Sequence, residues 1–429
     1  MLSIPPGSLV LAFDPTIRDM TSPLPNEERN ARRFIWSNGL QNIGDQIVAP
    51  KTVLPWLFTA AGVPSAFTSF LVPIRESGSM LPQFALSPWV TSAASRKRVW
   101  LIGSWGQFIA AAFIAVAAMF LEGAALGVAV LLLLGIQALF RAICSIAGKD
   151  VQGRTISKGH RGDITGRATA LGGAFTLAVG LGLTFLPNDL PRWVLVALLG
   201  AGASTWAFAS LVFAGIKEPE SEPEDNATAH GFRQMWELIK GDRDLQKFLV
   251  VRSLMLVTAL STPFIVMLAH EQGADLSGLG SFIIASGGAA LIGGRVSGWW
   301  SDKSSKAAMG WAAGAASTVL VLLVLSARLA PETVNAWVMP LGFFLVNLAH
   351  TTVRVSRKTY LVDMTDGDNR TLVTGVSNTA IGLMLLIVGA ITSVVASFGT
   401  QAALIFLAVV GYAGVAGAWN LREVSAGAE

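Results

Sequence analysis

The sequence VWLIGSWGQFIAAAFIAVAAMFL, residues 99–121, runs for 23 positions without a charged side chain. After two further residues comes AALGVAVLLLLGIQALFRAICSIA, residues 124–147, in which Arg141 is the only charge. Each block has the length that a helix needs to cross the hydrocarbon core of a bilayer. Both blocks are continuous and do not alternate between apolar and polar residues, so they predict membrane-spanning helices and not the strands of a barrel.

The same pattern recurs along the whole chain of 429 residues, which is 52% hydrophobic and only 14% charged, with a mean hydropathy of +0.57. A soluble protein carries about 25% charged residues, so this composition excludes a soluble multidomain enzyme. The apolar blocks predict twelve spans, at residues 34–61, 66–92, 99–121, 124–147, 164–186, 192–216, 248–268, 279–299, 307–329, 334–353, 372–398 and 401–421.

The basic residues indicate the orientation in the membrane. Of the 31 Lys and Arg residues, 26 fall on the side of the two chain ends and two, Arg192 and Arg328, on the opposite side. The other three, Lys51, Arg75 and Arg141, fall inside membrane blocks. By the positive-inside rule, we expect both termini to be cytoplasmic in a multi-pass protein of a bacterial-type inner (plasma) membrane. The net charge of +4 follows from this bias, and no nucleic-acid partner is expected.

A long polar interruption divides the chain nearly in half. It contains the stretch GFRQMWELIKGDRDLQKFL, residues 231–249, which is typical of an amphipathic helix on a membrane surface. We therefore expect an N-terminal tail (1–32), an N-terminal six-helix bundle (33–216), a cytoplasmic linker with the amphipathic helix (217–247), a C-terminal six-helix bundle (248–421) and a short tail (422–429).

The two halves resemble each other in sequence. A shift of 209 positions superimposes identical residues in the 25 positions from Lys149 to Gly173: Lys149 and Lys358, Arg161 and Arg370, Thr165 and Thr374, Gly166 and Gly375, and Gly173 and Gly382. The predicted fold is an all-α polytopic membrane protein with twelve transmembrane helices in two pseudo-symmetric six-helix bundles. Parallel halves of this kind suit a transporter in which one half rocks against the other.

Between Arg33 and Leu421, the six-plus-six arrangement with its central cytoplasmic loop resembles the major facilitator superfamily of secondary transporters. The sharpest local match is GWWSDKSSK, residues 298–306, in the predicted loop after the eighth span. It is similar to a family signature through Gly298, Asp302, Lys303 and Lys306. The resemblance implies a gating loop that holds one conformation, with Arg96 and Lys97 at the corresponding place of the first half. The alternative is an ordinary charged loop.

Polar residues in the first predicted helix form one stripe. Asn38, Gln41, Asn42 and Asp45 recur at i, i+3, i+4 and i+7, and such a stripe cannot face lipid. It lines either a hydrated cavity, which we favour, or a polar contact between helices. In the fourth predicted helix, Gln137 and Arg141 share a face. Asp45 and Arg141 lie at similar depths, so the sequence allows an ion pair between them.

Other predicted spans also contain charged or polar residues. The second span contains Arg75 and Glu76, whose side chains point about 100° apart. Either one of them faces the cavity and the other a neighbouring helix, or both belong to a structural network. The tenth contains Asn347, His350 and Arg354, and His350 lies 209 positions after Arg141. His titrates near neutral pH, which makes His350 a candidate for proton coupling or pH sensing, although a single His is more often a core residue. Asp45 is the first candidate for the coupling carboxylate.

Motifs of other chemistries are missing from the sequence. It contains no glycine-rich phosphate loop, no Cys and His cluster with metal-ligand spacing, and no nucleophile elbow, and Cys144 is its single cysteine. We therefore expect no enzyme activity, no cofactor and no metal. The predicted function is proton-coupled secondary transport of a small organic solute by a monomer in a lipid bilayer. A lipid-translocating protein, or a membrane sensor or enzyme without transport, is the alternative.

Overall fold

The computed structural model of the chain describes residues 26–156, 161–184, 192–219, 232–274, 276–364 and 370–424. These residues form helices joined by short connections. The helices of the first half are α1 (Glu27–Ile47), α2 (Val53–Ala60), α3 (Ser65–Ser92), α4 (Arg96–Phe120), α5 (Gly123–Thr155), α6 (Arg161–Thr184) and α7 (Trp193–Ala214). Those that follow are α8 (Phe232–Gly241), α9 (Arg243–Leu254), α10 (Val257–Leu260), α11 (Thr262–Glu271), α12 (Leu276–Lys303), α13 (Ser305–Leu329), α14 (Glu332–Asp363), α15 (Arg370–Ala396) and α16 (Thr400–Trp419).

The protein is an all-helical, multi-pass membrane protein. Within the described ranges, eight helical segments are long and apolar enough to cross a bilayer, the run from α9 to α11 counting as one of them. Shorter apolar stretches lie in α6 and α12. The outer surface is apolar, as a lipid-facing surface requires: Trp337 is 83% exposed and Phe398 82%.

Two of the predicted spans are broken helices. The single helix predicted at residues 34–61 is wrong, because α1 ends at Ile47 and α2 begins at Val53. Pro50 lies in the break, where it cannot donate a backbone hydrogen bond. The span predicted at residues 248–268 is also interrupted, and Pro263 lies in the first turn of the third segment, α11. The two interruptions lie in corresponding helices of the two halves.

Other helices extend beyond the predicted spans. The spans predicted to end at residues 147 and 353 continue as α5 to Thr155 and as α14 to Asp363. The loop predicted at residues 298–306 is wrong too, because α12 continues to Lys303 and α13 begins at Ser305. Ser304 alone separates the two helices and caps α13 by accepting a hydrogen bond from the Ala307 amide (3.3 Å).

The bounds of the helices repeat along the chain. The helices α4 and α13 lie 209 positions apart at both ends, and the starts of α5 and α14, and of α6 and α15, have the same separation. The main contacts between the two halves follow this repeat, since α3 packs against α15 and α6 packs against α12. Because α3 corresponds to α12 and α6 to α15, these are two copies of one type of interface.

The helix ends define two faces of the bundle. At the face that we call the terminal face, α1 begins and α7 ends, since the Asn30 side-chain amide donates to the Lys217 carbonyl oxygen (3.0 Å). The end of α16 lies at the same face of the second half. At the opposite face, α3 begins and α15 ends: Ser65 Oγ donates to the Ala396 carbonyl oxygen (2.9 Å).

Glycine permits close packing between α4 and α5. A Cβ atom built on Gly103 would lie 2.8 Å from the Phe140 carbonyl oxygen and 3.0 Å from the Cys144 amide nitrogen. Both are backbone atoms, which cannot turn away as a flexible side chain can. The approach of the two helices therefore depends on glycine at this position.

Candidate functional site

The polar stripe of α1 lies on the wall of a cavity. The cavity has a volume of about 280 Å³ and lies between α1, α4, α5 and α6. Its lining includes Arg141 and the four residues of the stripe, which are Asn38, Gln41, Asn42 and Asp45. The Asn42 side-chain amide donates to the Ala168 carbonyl oxygen of α6 (3.2 Å), so one member of the stripe also joins two helices.

Asp45 joins two arginines that come from different helices. One carboxylate oxygen accepts a hydrogen bond from Arg75 on α3, and the other lies 3.4 Å from Arg141 Nη2 on α5. The side chain of Arg75 is 2% exposed, that of Asp45 24% and that of Arg141 37%. The ion pair that the sequence allowed between Asp45 and Arg141 is therefore present, and Arg75 forms a second one.

Glu76 lies apart from this network. As expected from their angular separation, Arg75 and Glu76 form no ion pair with each other. The Glu76 carboxylate interacts electrostatically with Arg141, Lys51, Arg75 and Arg354, but it forms no ion pair within 4 Å among the described residues. The site therefore contains one carboxylate fixed by two arginines and one that faces several cations at longer range.

In the second half, the structure brings two of the three predicted residues of α14 towards these charges. His350 and Arg141 each lie 18 residues after the start of their helices. His350 Nδ1 lies 3.1 Å from Thr258 Oγ1 on α10, and Arg354 is exposed. Asn347 is different, because its side-chain amide donates to the Phe343 carbonyl oxygen of its own helix (2.9 Å).

Gln137 is separate from the cavity lining. Its side chain is fully buried, and neither its amide nitrogen nor its carbonyl oxygen forms a hydrogen bond within the part of the chain that the structure describes. It shares a helix face with Arg141, as predicted, but the structure assigns it no partner.

At the terminal face, an acidic residue caps a helix in the first half. The Glu218 carboxylate accepts hydrogen bonds from the backbone amides of Arg96 (3.1 Å) and Lys97 (3.0 Å) and from Ser95 Oγ (3.0 Å). Lys97 Nζ donates to the Ile216 carbonyl oxygen (3.0 Å), and Arg96 pairs with Asp150 on α5 (2.9 Å). A negative charge at the N-terminus of a helix is stabilising, so this cluster ties α4 to α5 and α7.

The second half repeats part of this cluster. Ser304 Oγ donates to Glu423 Oε2 (2.8 Å), and Lys306 Nζ donates to the Leu421 carbonyl oxygen (3.2 Å). Lys306 thus ties the start of α13 to the end of α16, as Lys97 ties α4 to α7. Lys303 is exposed at the end of α12, whereas Gly298 and the Asp302 side chain lie outside the described part of the structure.

The space between the halves is closed at the opposite face. There Trp56 of α2 packs edge-on against His270 of α11, with ring centroids 5.0 Å apart. Ser393 Oγ of α15 donates to the Ala66 carbonyl oxygen of α3 (3.0 Å). Towards the terminal face, in contrast, Arg141 and Arg354 remain accessible. The structure is therefore open on one side of the candidate site and closed on the other.

The sequence matches no family model and no curated protein. Solved transporter structures, however, match its fold over nearly their whole length. A D-xylose-proton symporter aligns with a TM-score of 0.69 at 12% identity, covering 92% of this chain and 98% of its own. A bacterial homologue of the iron transporter ferroportin, in its inward-facing state, aligns with a TM-score of 0.64 at 15% identity, covering 90% and 99%. The nucleoside transporter NupG gives 0.63 at 13% identity, covering 91% and 99%. The chain therefore has the fold that these solved transporter structures share.

Sequence reasoning missed several cations near the site. Lys51 follows the break after α1 and interacts electrostatically with Glu76, Arg354, Arg141 and Arg357. Arg357 and Lys149 lie beyond the predicted spans at residues 334–353 and 124–147, on the extended ends of α14 and α5. The signal that could have found them is helical spacing, because Arg357 lies one turn beyond Arg354 on the same face.

Proposed function

We propose that this protein is a proton-coupled secondary transporter that moves an organic solute across the inner membrane by alternating access. In this proposal, twelve spans form two six-helix bundles, at residues 33–216 and 248–421, joined by the linker at 217–247. The terminal face is cytoplasmic, so the structure represents an inward-facing state. The observation that carries the proposal is a charged network lining a cavity that is open at one face and closed at the other.

The arrangement of the two halves supports alternating access. Their contacts consist of two equivalent interfaces, α3 with α15 and α6 with α12. Rocking about such a pair of interfaces can close one face as it opens the other. The closed contacts at the opposite face, such as that between Trp56 and His270, are those that the outward-facing state would have to break.

The Asp45 network supports coupling to protons. Charges inside a membrane protein are costly unless paired and commonly belong to ion or proton pathways. Asp45 is shared by Arg75 and Arg141, and Arg141 is accessible from the cavity. A conformational change that separates α5 from α1 would remove one of its two partners. Asp45 could then exchange a proton with the side to which it is open.

A test of transport must not depend on knowing the solute. Purified protein in proteoliposomes is given an inward-directed pH gradient and a mixture of metabolites, and the contents of the lumen are measured by mass spectrometry. We expect at least one solute to accumulate above its level in protein-free liposomes, and to stop accumulating when a protonophore dissipates the gradient. If no solute accumulates, or if labelled lipids change leaflet instead, the proposal is wrong.

The coupling step is tested with Asp45→Asn, which fixes a neutral side chain at this position. It should abolish accumulation driven by the pH gradient but spare solute exchange between compartments at equal pH. Asp244→Asn, the same chemical change at an exposed position of α9, serves as the control and should change neither activity. Gradient-driven accumulation by Asp45→Asn at the wild-type level would exclude Asp45 as the coupling residue and make Glu76 and His350 the next candidates.

A further inference from the structure

Among the described residues near Asp45 and Arg141, positive charges outnumber negative charges. The cations that interact electrostatically with one another and with the two carboxylates come from both halves of the protein; they are Lys51, Arg75, Arg141, Arg354 and Arg357. The carboxylates in this group of described residues are Asp45 and Glu76. Within the part of the chain that the structure describes, five positive charges therefore interact with two negative ones.

The two carboxylates are also unevenly placed. Asp45 lies between Arg75 and Arg141, and it forms ion pairs with both. Glu76 is left as the acidic neighbour of the remaining cations, and it forms no ion pair within 4 Å in the described ranges. Lys51, Arg354 and Arg357 thus have no ion-pair partner of their own in this part of the structure.

Further cations extend from the site towards the terminal face. Among the described residues, the electrostatic neighbours of Lys358 are positive; they are Arg354, Arg357, Lys149 and Arg252. Arg252 is 5% exposed and is bonded to neutral side chains, with its guanidinium 3.0 Å from Asn378 Oδ1. Lys149 lines the same cavity as Asp45. These cations extend the positive charge of the site towards the terminal face.

Some guanidinium donors near the site are buried and unsatisfied. Arg75 is 1% exposed, and its Nη1 has no hydrogen-bond partner within the described residues. The same holds for the buried Nε of Arg357. A buried donor without an acceptor is destabilising, and more so when it is charged. The donors lack an acceptor and the cations lack counter-charge, and a bound anion would supply both.

We propose that the space between the two halves binds a small organic anion with at least two negative charges, held between Arg141 and Lys51 of the first half and Arg354 and Arg357 of the second. Dicarboxylates and phosphate esters both have this chemistry. A neutral sugar or nucleoside would leave the three excess positive charges uncompensated. The inference rests on the proposed function, because it names the class of solute that the transporter carries.

An anion in this place would also act on the conformation. Its charges would contact arginines of both halves, which repel each other when the site is empty. Binding would therefore draw α5 and α14 together and favour closure of the terminal face. Guanidinium groups suit this role, since they bind carboxylates and phosphates through two parallel hydrogen bonds.

The test measures binding to the full-length protein purified in detergent, by thermal unfolding. The probes are succinate and glycerol 3-phosphate, each compared with its neutral analogue, succinamide or glycerol, at equal ionic strength set with sodium chloride. We expect both dianions to raise the unfolding temperature in a saturable way, and both neutral analogues to leave it unchanged. All samples have the same ionic strength, so stabilisation by salt alone would raise the unfolding temperature equally with the dianions and with their neutral analogues. That result would overturn the proposal.

Variants then locate the site. Arg354→Gln and Arg357→Gln should each raise the Kd for the dianions about tenfold or more, since each removes charge-assisted hydrogen bonds. Arg354→Lys keeps the charge and should recover part of the affinity. Arg98→Gln removes an exposed positive charge at the start of α4 and serves as the matched control, with an unchanged Kd. An unchanged Kd in both arginine-to-glutamine variants would overturn the proposal.

Failure of this inference can be told apart from failure of the proposed function. If proteoliposomes accumulate a neutral solute and no dianion stabilises the protein, transport stands and the anion site is wrong. If dianions bind with the expected dependence on Arg354 and no solute accumulates, the anion site stands and transport is wrong.

Discussion

The network around Asp45 allows a quantitative prediction of stability. Asp45→Asn would leave Arg75, whose side chain is 2% exposed, without a counter-charge. Removing one partner of a buried ion pair costs about 3–5 kcal/mol. The second pair contributes little, about 0–1 kcal/mol, because Arg141 is 37% exposed and solvent screens it. We therefore expect Asp45→Asn to lower the free energy of unfolding by about 3–6 kcal/mol.

The reverse change should cost less. In Arg75→Gln, Asp45 keeps Arg141 as its partner and remains 24% exposed, so the loss is that of one hydrogen bond, about 1–2 kcal/mol. The double variant Asp45→Asn, Arg75→Gln no longer buries an unpaired charge. It should be more stable than Asp45→Asn alone by about 2 kcal/mol.

The assay is reversible unfolding of the four proteins in mixed micelles with increasing SDS, followed by tryptophan fluorescence. The coupling energy from the cycle is the quantity of interest. Costs that simply add in the double variant, or an Asp45→Asn variant as stable as the wild type, would show that the two residues do not form a buried pair.

Three further predictions concern packing, capping and closure. Gly103→Ala should lower the free energy of unfolding by about 1–3 kcal/mol, because its Cβ meets the backbone of α5. The control is Gly200→Ala, where no heavy atom lies within 4 Å; it should leave the free energy of unfolding unchanged or raise it by up to about 1 kcal/mol. Equal effects of the two variants in chemical denaturation would contradict this prediction. Glu218→Gln should lower the free energy of unfolding by about 1–2 kcal/mol and slow transport, since it weakens the cap on α4. The control is Glu122→Gln, at a side chain that is 77% exposed at the opposite face; it should change neither stability nor transport. A similar loss of thermal stability in both variants would argue against the cap. In a Cys144→Ala background, a disulfide or short thiol cross-link between Ser65→Cys and Ala396→Cys should block transport until it is reduced. Full transport in the cross-linked protein would refute closure of the opposite face between α3 and α15.

The membrane fold follows directly from the sequence, because uncharged blocks of about 20 residues have few alternatives to a spanning helix. The stripe from Asn38 to Asp45 was predictable for a similar reason: helical spacing fixes which residues share a face, whatever the neighbouring helices do. The pair of Asp45 with Arg141 needed only that the two residues lie at similar depth.

The remaining features depend on packing that hydropathy does not report. Arg75 turns towards Asp45 and not towards Glu76, and this orientation is set by how α3 rotates against α1. Arg357 lies beyond the predicted span because a hydropathy span ends where charges begin, whereas the helix geometry of α14 continues to Asp363. The break after Ile47 was also missed, since Pro50 and Lys51 interrupt the helix within a block that is long enough for one continuous span.

Alternating access is tested most directly by measuring distances at both faces of the same protein. Spin labels at Arg98 and Asn420 report on the separation of the halves at the terminal face, and labels at Glu122 and Glu332 report on the opposite face; all four positions are exposed. Double electron–electron resonance in liposomes, at pH 5.5 and pH 7.5 and with or without succinate, should give two distances for each pair. The population with a short distance at the terminal face should rise together with the population with a long distance at the opposite face. A single, unchanged distance at both faces under all these conditions would contradict the transport mechanism.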